Sequence, residues 1–215
     1  MTKPERIARV GALVLAPRRD LCLDLANTLG WRGSAPSETL HGLPDLMQWA
    51  ASSGSLLAGA IDANGAWGSA AWAERHPAEA AAIFLRTIAT RETIYRIFHA
   101  VASGGVPGDD DLLELNRALQ ETPARSALQR IGAGFGWRIE ARRPPTAPAL
   151  LAPVLWSAGD LLAGPQLGRV RECANDKCLW LFLDESKNGT RRWCSMSACG
   201  NRAKAHRHYA RLKGG

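Results

Sequence analysis

Four of the five cysteines in this chain lie within 27 residues, in the pattern Cys173-x4-Cys178-x15-Cys194-x4-Cys199. Two close pairs of thiols can meet at one tetrahedral metal ion, with each pair supplying two thiolates. The same thiols can instead form two disulfides in an oxidising compartment, or can be unrelated buried side chains. A segment this short buries too little apolar surface to fold unaided, so a bound metal would supply its stability. We therefore favour one metal ion per chain.

A site with four thiolate ligands is closed. It leaves no open position for a substrate or an activated water, which favours a structural zinc ion over a catalytic one. Elsewhere the sequence has no spacing typical of a nucleophile and its base and no phosphate-binding loop, so we do not expect an enzyme. The fifth cysteine, Cys22, stands alone in an apolar segment and is predicted to be a small buried side chain.

The positive charge of the chain is concentrated at its C-terminal end. Residues 1–164 hold 16 Lys and Arg against 16 Asp and Glu, whereas residues 165–215 hold 11 against four, so the net charge of +7 lies in the last quarter. Four thiolates and one Zn²⁺ would lower that excess to about +5. A basic segment of this kind favours a phosphate-bearing partner, DNA more than RNA. A solvated helix face, or an acidic protein partner, would show the same pattern.

The last part of the basic segment has helical spacing from about residue 201 to residue 213. Ala205, Tyr209 and Leu212 form a narrow apolar stripe, and cationic side chains lie on roughly the opposite face. The side chains predicted to contact nucleic acid are Arg191, Arg192, Arg202, Lys204, Arg207, His208 and Arg211.

The first 164 residues, which we call the body, read as a mainly helical α/β domain. Apolar periodicity predicts helices over 21–29, from near Pro44, over 78–102, from Asp109 and over 150–163, with a strand over 136–142 and a loop over 52–70. The boundary falls after the last helix, so residues 165–215 are predicted to be a separate C-terminal module. Because each part is expected to have its own core, the body alone should fold.

The N-terminus weakly imitates a signal peptide, with an apolar run over 10–16 after three basic residues. The run is only seven residues long and lacks a small-x-small cleavage site, so we interpret it as a first strand and expect a cytoplasmic protein. No apolar run approaches the roughly 20 residues of a membrane span, so no membrane partner is expected.

Two motifs resemble a known family. The run Cys199-Gly200-Asn201-Arg202, with Arg191-Arg192-Trp193-Cys194-Ser195-Met196 before it, resembles the CGNR zinc-finger proteins. The run Leu21-Cys22-Leu23-Asp24-Leu25-Ala26-Asn27-Thr28 is similar to the opening of the ABATE domain that precedes this finger, although Leu25-Ala26 replaces a bulkier pair. The resemblance implies an α/β domain of family-specific fold, a treble-clef-like finger with one structural zinc ion, and a role as a bacterial stress-induced transcription regulator.

Three functions remain open on the sequence. The first is a DNA-binding regulator whose body receives a small-molecule effector or forms a homodimer. An RNA-binding protein and a metal-stabilised scaffold for protein partners are the alternatives. Asp24 and Asn27, which interrupt the apolar stripe of the first helix, are the candidate pocket residues.

Overall fold

The computed structural model describes residues 9–14, 17–53, 69–142 and 146–205. Within those ranges the body is mostly helical, with small strands. The helices are α1 (Leu21–Ala26), α2 (Leu43–Ser53), α3 (Ala70–Arg75), α4 (Pro77–Ala102), α5 (Asp109–Gln120), α6 (Ala147–Leu150) and α7 (Ala152–Ala163). The strands are β1 (Arg9–Val14), β2 (Leu29–Gly30), β3 (Ser37–Glu38), β4 (Ala127–Ile131), β5 (Gly134–Arg142), β6 (Val170–Glu172) and β7 (Leu181–Leu183).

Three strands of the body form an antiparallel sheet in the order β1-β5-β4. The first strand, expected over 10–16, spans Arg9–Val14 and pairs along β5 from Arg142 to Trp137. β5 contains the strand expected over 136–142, whereas β4 was not predicted. The expected loop over 52–70 falls mainly on residues 54–68, which lie outside the described residues.

The 26-residue helix α4 is the centre of the body. It begins at Pro77, where the missing proline N–H breaks no intrahelical bond. It contacts α1, α2, α5, α6 and both strands of the C-terminal module. Ile94, Ile97 and Phe98 are completely buried because these elements surround its C-terminal half. No helix in the described ranges, α4 included, combines the length and apolar character needed to cross a membrane.

Helix α1 is shorter than predicted. It ends at Ala26 rather than near residue 29, because the chain then turns and Leu29 pairs with Glu38 in the β2–β3 ladder. All of its residues except Asp24 are buried. Cys22 is fully buried, as expected, and burial raises its thiol pKa to about 12.

The helix predicted over 150–163 corresponds to α7, which begins at Ala152 and ends at Ala163. The four-residue helix α6, which was not predicted, precedes it, and the two helices meet at Leu151. Pro153 stands in the first turn of α7, where proline is tolerated because its nitrogen would have no helical partner. Most of α7 is buried, and it packs along α1.

The hydrophobic core crosses the boundary that the sequence suggested. Val170, Leu181 and Leu183, from the antiparallel pair β6–β7, belong to the same buried cluster as Ile94 and Phe98 of α4. A smaller cluster surrounds the cysteines and includes a tryptophan of the body. The C-terminal module and the body therefore share one hydrophobic core.

Candidate metal centre and its contacts with the body

The four clustered cysteines converge at one point. Their Sγ atoms lie within 4.8 Å of one another, and Cys194 Sγ is 3.8 Å from Cys178 Sγ and 3.7 Å from Cys199 Sγ. Four sulfur atoms bound tetrahedrally at 2.3 Å, as around zinc, are about 3.8 Å apart. The donor set therefore fits one tetrahedral ion, with three of the four residues buried.

The first cysteine pair is formed by a loop between β6 and β7. Cys173 directly follows β6, and its N–H donates to Trp180 O at 2.9 Å. The Cys178 N–H donates to Asn175 O at 2.8 Å, which turns the second thiol back toward the first. The Asn175 side chain also donates to Cys199 Sγ at 3.3 Å, and this bond joins the two pairs. Such a donor orients a thiolate and stabilises its charge.

The second pair brackets the start of the last described helix. Ser195 accepts a hydrogen bond from Ala198 N–H, and a π-helical turn over Met196–Gly200 leads into helical residues 201–205. Gly200 ends this turn. A Cβ there would lie 2.7 Å from the thioether sulfur of Met196, so a larger residue would crowd that side chain.

As free thiols, Cys173 and Cys178 differ in pKa. A hydrogen bond from Cys194 lowers the pKa of Cys173 to about 5. Burial raises the pKa of Cys178 to about 12. A cationic ion favours the thiolate form of all its ligands, so metal binding releases protons from this cluster.

Two family profiles match the chain. The profile of the CGNR zinc finger matches residues 169–212. The profile of the ABATE family, whose description reads "Putative stress-induced transcription regulator", matches residues 19–165, more than half of the chain. The chain belongs to the ABATE family. Both resemblances seen in the sequence, and their order, are thereby confirmed. No curated protein matches the chain.

The ABATE region, residues 19–165, holds the CGNR finger, residues 169–212, at three places. At the first, the side-chain amide of Asn27 donates to Leu181 O at 2.8 Å and its oxygen accepts from Leu181 N–H at 3.0 Å. Both atoms of the amide are therefore engaged with β7. Asn27 lines the neighbouring cavity, but its observed contacts are those of a link to the finger.

At the second place, the loop between β2 and β3 of the ABATE region lies against the cysteines. The Trp31 ring packs on the cysteine cluster, and the Arg202 guanidinium lies 4.6 Å from the ring centroid. A Cβ on Gly33 would lie 1.8 Å from Asp176 O, so only glycine permits this approach. Ser34 Oγ donates to Lys177 O at 3.3 Å.

At the third place, α4 contacts the finger through polar side chains. His99 Nδ1 lies 2.5 Å from Glu172 Oε2, and Tyr95 Oη donates to Leu179 O at 3.3 Å. The Arg32 guanidinium lies 3.8 Å from the centroid of the Tyr95 ring. No local pattern in the sequence relates His99 to Glu172, which lies 73 positions away.

Two predicted nucleic-acid residues are engaged within the protein. Arg191 Nε donates to Trp193 O at 3.0 Å, another of its nitrogens donates to Cys194 O, and its guanidinium lies 4.4 Å from the Phe182 ring centroid. Arg202 stacks on Trp31.

Two others, Arg192 and Lys204, are exposed, as Arg191 and Arg202 also are. Arg192 lies 5.5 Å from the centroid of the Trp193 ring, and Lys204 is on helical residues 201–205. Arg192 also lines a groove with Thr190, Trp193 and Met196. Arg207, His208 and Arg211 lie outside the described residues.

A cavity of about 440 Å³ separates α1 from the CGNR finger. Asp24 and Asn27, the predicted pocket residues, both line it. Asp24 also forms an ion pair with Arg18, and partial burial raises its pKa. Sequence reasoning missed the aromatic wall on the finger side, Trp180 and Phe182, because those residues read as the finger's own strand.

Proposed function

We propose that this ABATE-family protein is a DNA-binding transcription regulator in which one structural zinc ion organises a treble-clef-like finger. The observation that carries the proposal is the tetrahedral spacing of the four cysteine sulfur atoms. The last of these cysteines, Cys199, directly precedes the basic residues 201–213. The family description supports a role in transcription. A regulator of this kind works in the bacterial cytoplasm, where thiols stay reduced.

Zinc fits the donor set better than other common ions. Four thiolates are soft ligands, and a tetrahedral arrangement of four sulfurs is typical of zinc or of iron. The residues that would hold the ion are Cys173, Cys178, Cys194 and Cys199. With all four positions filled by protein, the ion supplies folding stability and no chemistry, which suits a binding protein rather than an enzyme.

The proposed DNA contacts come from the exposed cations of the finger. Arg192 and Lys204 are exposed among the described residues, and Arg207, His208 and Arg211 extend the same basic sequence. The guanidinium of Arg192 can form two hydrogen bonds at once, either to two phosphate oxygens or to the edge of one guanine. The balanced charge of residues 1–164 gives no general attraction to phosphate.

Neutralising the cations of the last segment tests this proposal. The triple variant Lys204→Gln, Arg207→Gln and Arg211→Gln should keep its metal, because none of the three is a ligand. Its affinity for labelled duplex should fall uniformly across sequences. The slope of log K against log salt should drop by about 0.9 for each phosphate that the variant no longer neutralises. Fluorescence anisotropy at several salt concentrations measures both quantities.

A charge-matched control separates a local contact from a general charge effect. Arg75, Arg86 and Arg117 are exposed on α3, α4 and α5 of the ABATE region. Changing these three to Gln removes the same charge and should leave duplex affinity nearly unchanged. Equal losses of affinity in the two triple variants would contradict the proposed interface, and tighter binding of single-stranded RNA would favour the RNA-binding alternative.

The cavity beside Asp24 is the candidate position for a small-molecule effector. It lies between α1 and the finger, so a ligand there would contact both regions at once. Many ligand sites occupy such interfaces between domains.

A further inference from the structure

The two cysteine pairs of the CGNR finger are attached to the ABATE region in different ways. Around the first pair, backbone carbonyls accept hydrogen bonds from three separate elements of the ABATE region. The bonds are Asn27 to Leu181 at 2.8 Å, Tyr95 to Leu179 at 3.3 Å and Ser34 to Lys177 at 3.3 Å. Together with the burial of β6 and β7, these bonds fix the first pair on the body without help from a metal.

The second pair faces the ABATE region across the cavity. Cys194, Ser195 and Ala198 line one side of that space, and α1 lines the other. The segment before Cys194 is bonded to the finger itself: the Ala174 N–H donates to Arg192 O at 2.8 Å. Among the described residues, one contact that reaches from the end of the second pair to the ABATE region is that of the Arg202 guanidinium with the Trp31 ring.

The conformation of Trp31 is consistent with a residue held by these contacts. Its φ is 53°, in the left-handed region that bulky side chains rarely adopt. Such a conformation persists only where the surroundings enforce it. Here the surroundings include the cysteine cluster under the ring, the guanidinium of Arg202 beside it, and the Ser34 N–H, which donates to Trp31 O at 3.0 Å.

We propose that Trp31 and Arg202 form a metal-dependent lock between the ABATE region and the basic helix of the finger. Binding of the ion draws Cys194 and Cys199 against the first pair and brings Arg202 onto Trp31. Loss of the ion releases the second pair and the helix, while β6 and β7 stay in the core of the body. Arg202 is then a positioning residue and not a nucleic-acid contact.

The lock gives the basic helix a fixed orientation only in the metal-loaded protein. A regulator built in this way would bind its target with a preformed surface when zinc is available and with a detached helix when it is not. The inference rests on the zinc centre of the proposed function but not on DNA as the partner.

Hydrogen exchange with and without zinc tests the dependence on metal. After chelation with EDTA, amide exchange should rise at least tenfold in residues 194–205. It should stay unchanged in residues 170–172 and 181–183, because those strands are held by the core. An unchanged rate in residues 194–205, or equal opening of all three segments, would overturn the lock.

A double-mutant cycle tests the pairing of the two residues. The readout is the rate of zinc release to an excess of a coloured chelator. Arg202→Gln should speed release about fivefold, and Trp31→Leu should speed it at least as much, because it also removes the ring from the cysteine cluster. The double variant should release zinc no faster than Trp31→Leu alone, because the contact between the two side chains is already lost there. Trp31→Phe, which keeps an aromatic face, should restore a rate near that of the wild type.

Arg130→Gln is the matched control, since this arginine lies 5.7 Å from the centroid of the Phe135 ring within the β4–β5 hairpin of the ABATE region and should leave the release rate unchanged. Multiplicative effects of Trp31→Leu and Arg202→Gln would overturn the lock while leaving the zinc centre intact. A wild-type protein that binds no zinc would overturn both the centre and the lock, and elemental analysis distinguishes these two outcomes.

Discussion

The side-chain amide of Asn27 is bonded to the backbone of Leu181 in both directions, although 154 residues separate them. Asn27 directly follows α1, and Leu181 begins β7. The side chain takes the place that a neighbouring strand would occupy at this edge of β7. It thereby satisfies two buried backbone groups that would otherwise lack partners.

Asn27→Ala should lower the free energy of unfolding by about 2–3 kcal/mol, since it leaves a buried N–H and a buried carbonyl unsatisfied. Urea denaturation followed by circular dichroism measures this decrease. Ser34→Ala is the control, because its bond to Lys177 O is exposed, and it should cost less than about 0.5 kcal/mol. If the two changes lower the free energy of unfolding equally, the bonds of Asn27 to Leu181 contribute no more than an exposed hydrogen bond.

Removing residues 165–215 should unfold the body rather than leave it intact, contrary to the expectation from sequence. Val170, Leu181 and Leu183 would be missing from the main core, and each such side chain contributes about 1.5–3 kcal/mol when buried. A chain ending at residue 205 keeps all three and should remain folded. Thermal unfolding of the 1–164 and 1–205 fragments tests this prediction. A 1–164 fragment that is stable and unfolds cooperatively would contradict it.

The purified protein should contain one zinc ion and no disulfide. Elemental analysis together with thiol counting under denaturing conditions measures both. Cys199→Ser should lose most of the metal because it removes one of four ligands, whereas Cys22→Ser should keep it, since Cys22 lies in the core of the body. A disulfide between Cys173 and Cys178 in freshly prepared protein would contradict the metal centre.

Glu92 should stabilise the fold in a pH-dependent way. Burial alone raises the pKa of this carboxyl, but hydrogen bonds from Arg32 at 2.7 Å and Arg91 at 2.8 Å, and the charges of both, leave it below the usual 4.5. A lowered folded-state pKa means that the stabilisation is complete above about pH 4.5 and is lost as the pH falls through the folded value.

Glu92→Gln should therefore cost about 2 kcal/mol at neutral pH, and the difference from the wild type should shrink below about pH 4.5. Urea unfolding at a series of pH values follows this difference. The exposed partner of Arg86, Glu121, provides the control, because Glu121→Gln should change stability by less than about 0.5 kcal/mol. If the free energies of unfolding of Glu92→Gln and the wild type differ by the same amount at every pH, the lowered pKa of Glu92 would be refuted.

Local features of the sequence were enough to predict several elements. Pro77 and the glycines after residue 103 predicted α4 within one residue, and the acidic start at Asp109 predicted α5. The spacing of the cysteines predicted their convergence, because it brings two short loops together wherever the rest of the chain goes. These signals depend on neighbours in the chain.

Other features depend on residues far apart, and only the tertiary structure decided them. Helix α1 ends early because β2 pairs with β3. Ile94 and Phe98 of α4 are buried in one cluster with Val170, Leu181 and Leu183 of the finger's strands. Arg202 was predicted from its charge to contact nucleic acid, and only the tertiary structure shows that its guanidinium lies beside the Trp31 ring. Charge, spacing and periodicity reveal which chemistry a residue can perform. The partner that it finds is set by the packing of distant segments, whose burial compensates for the loss of chain entropy on folding.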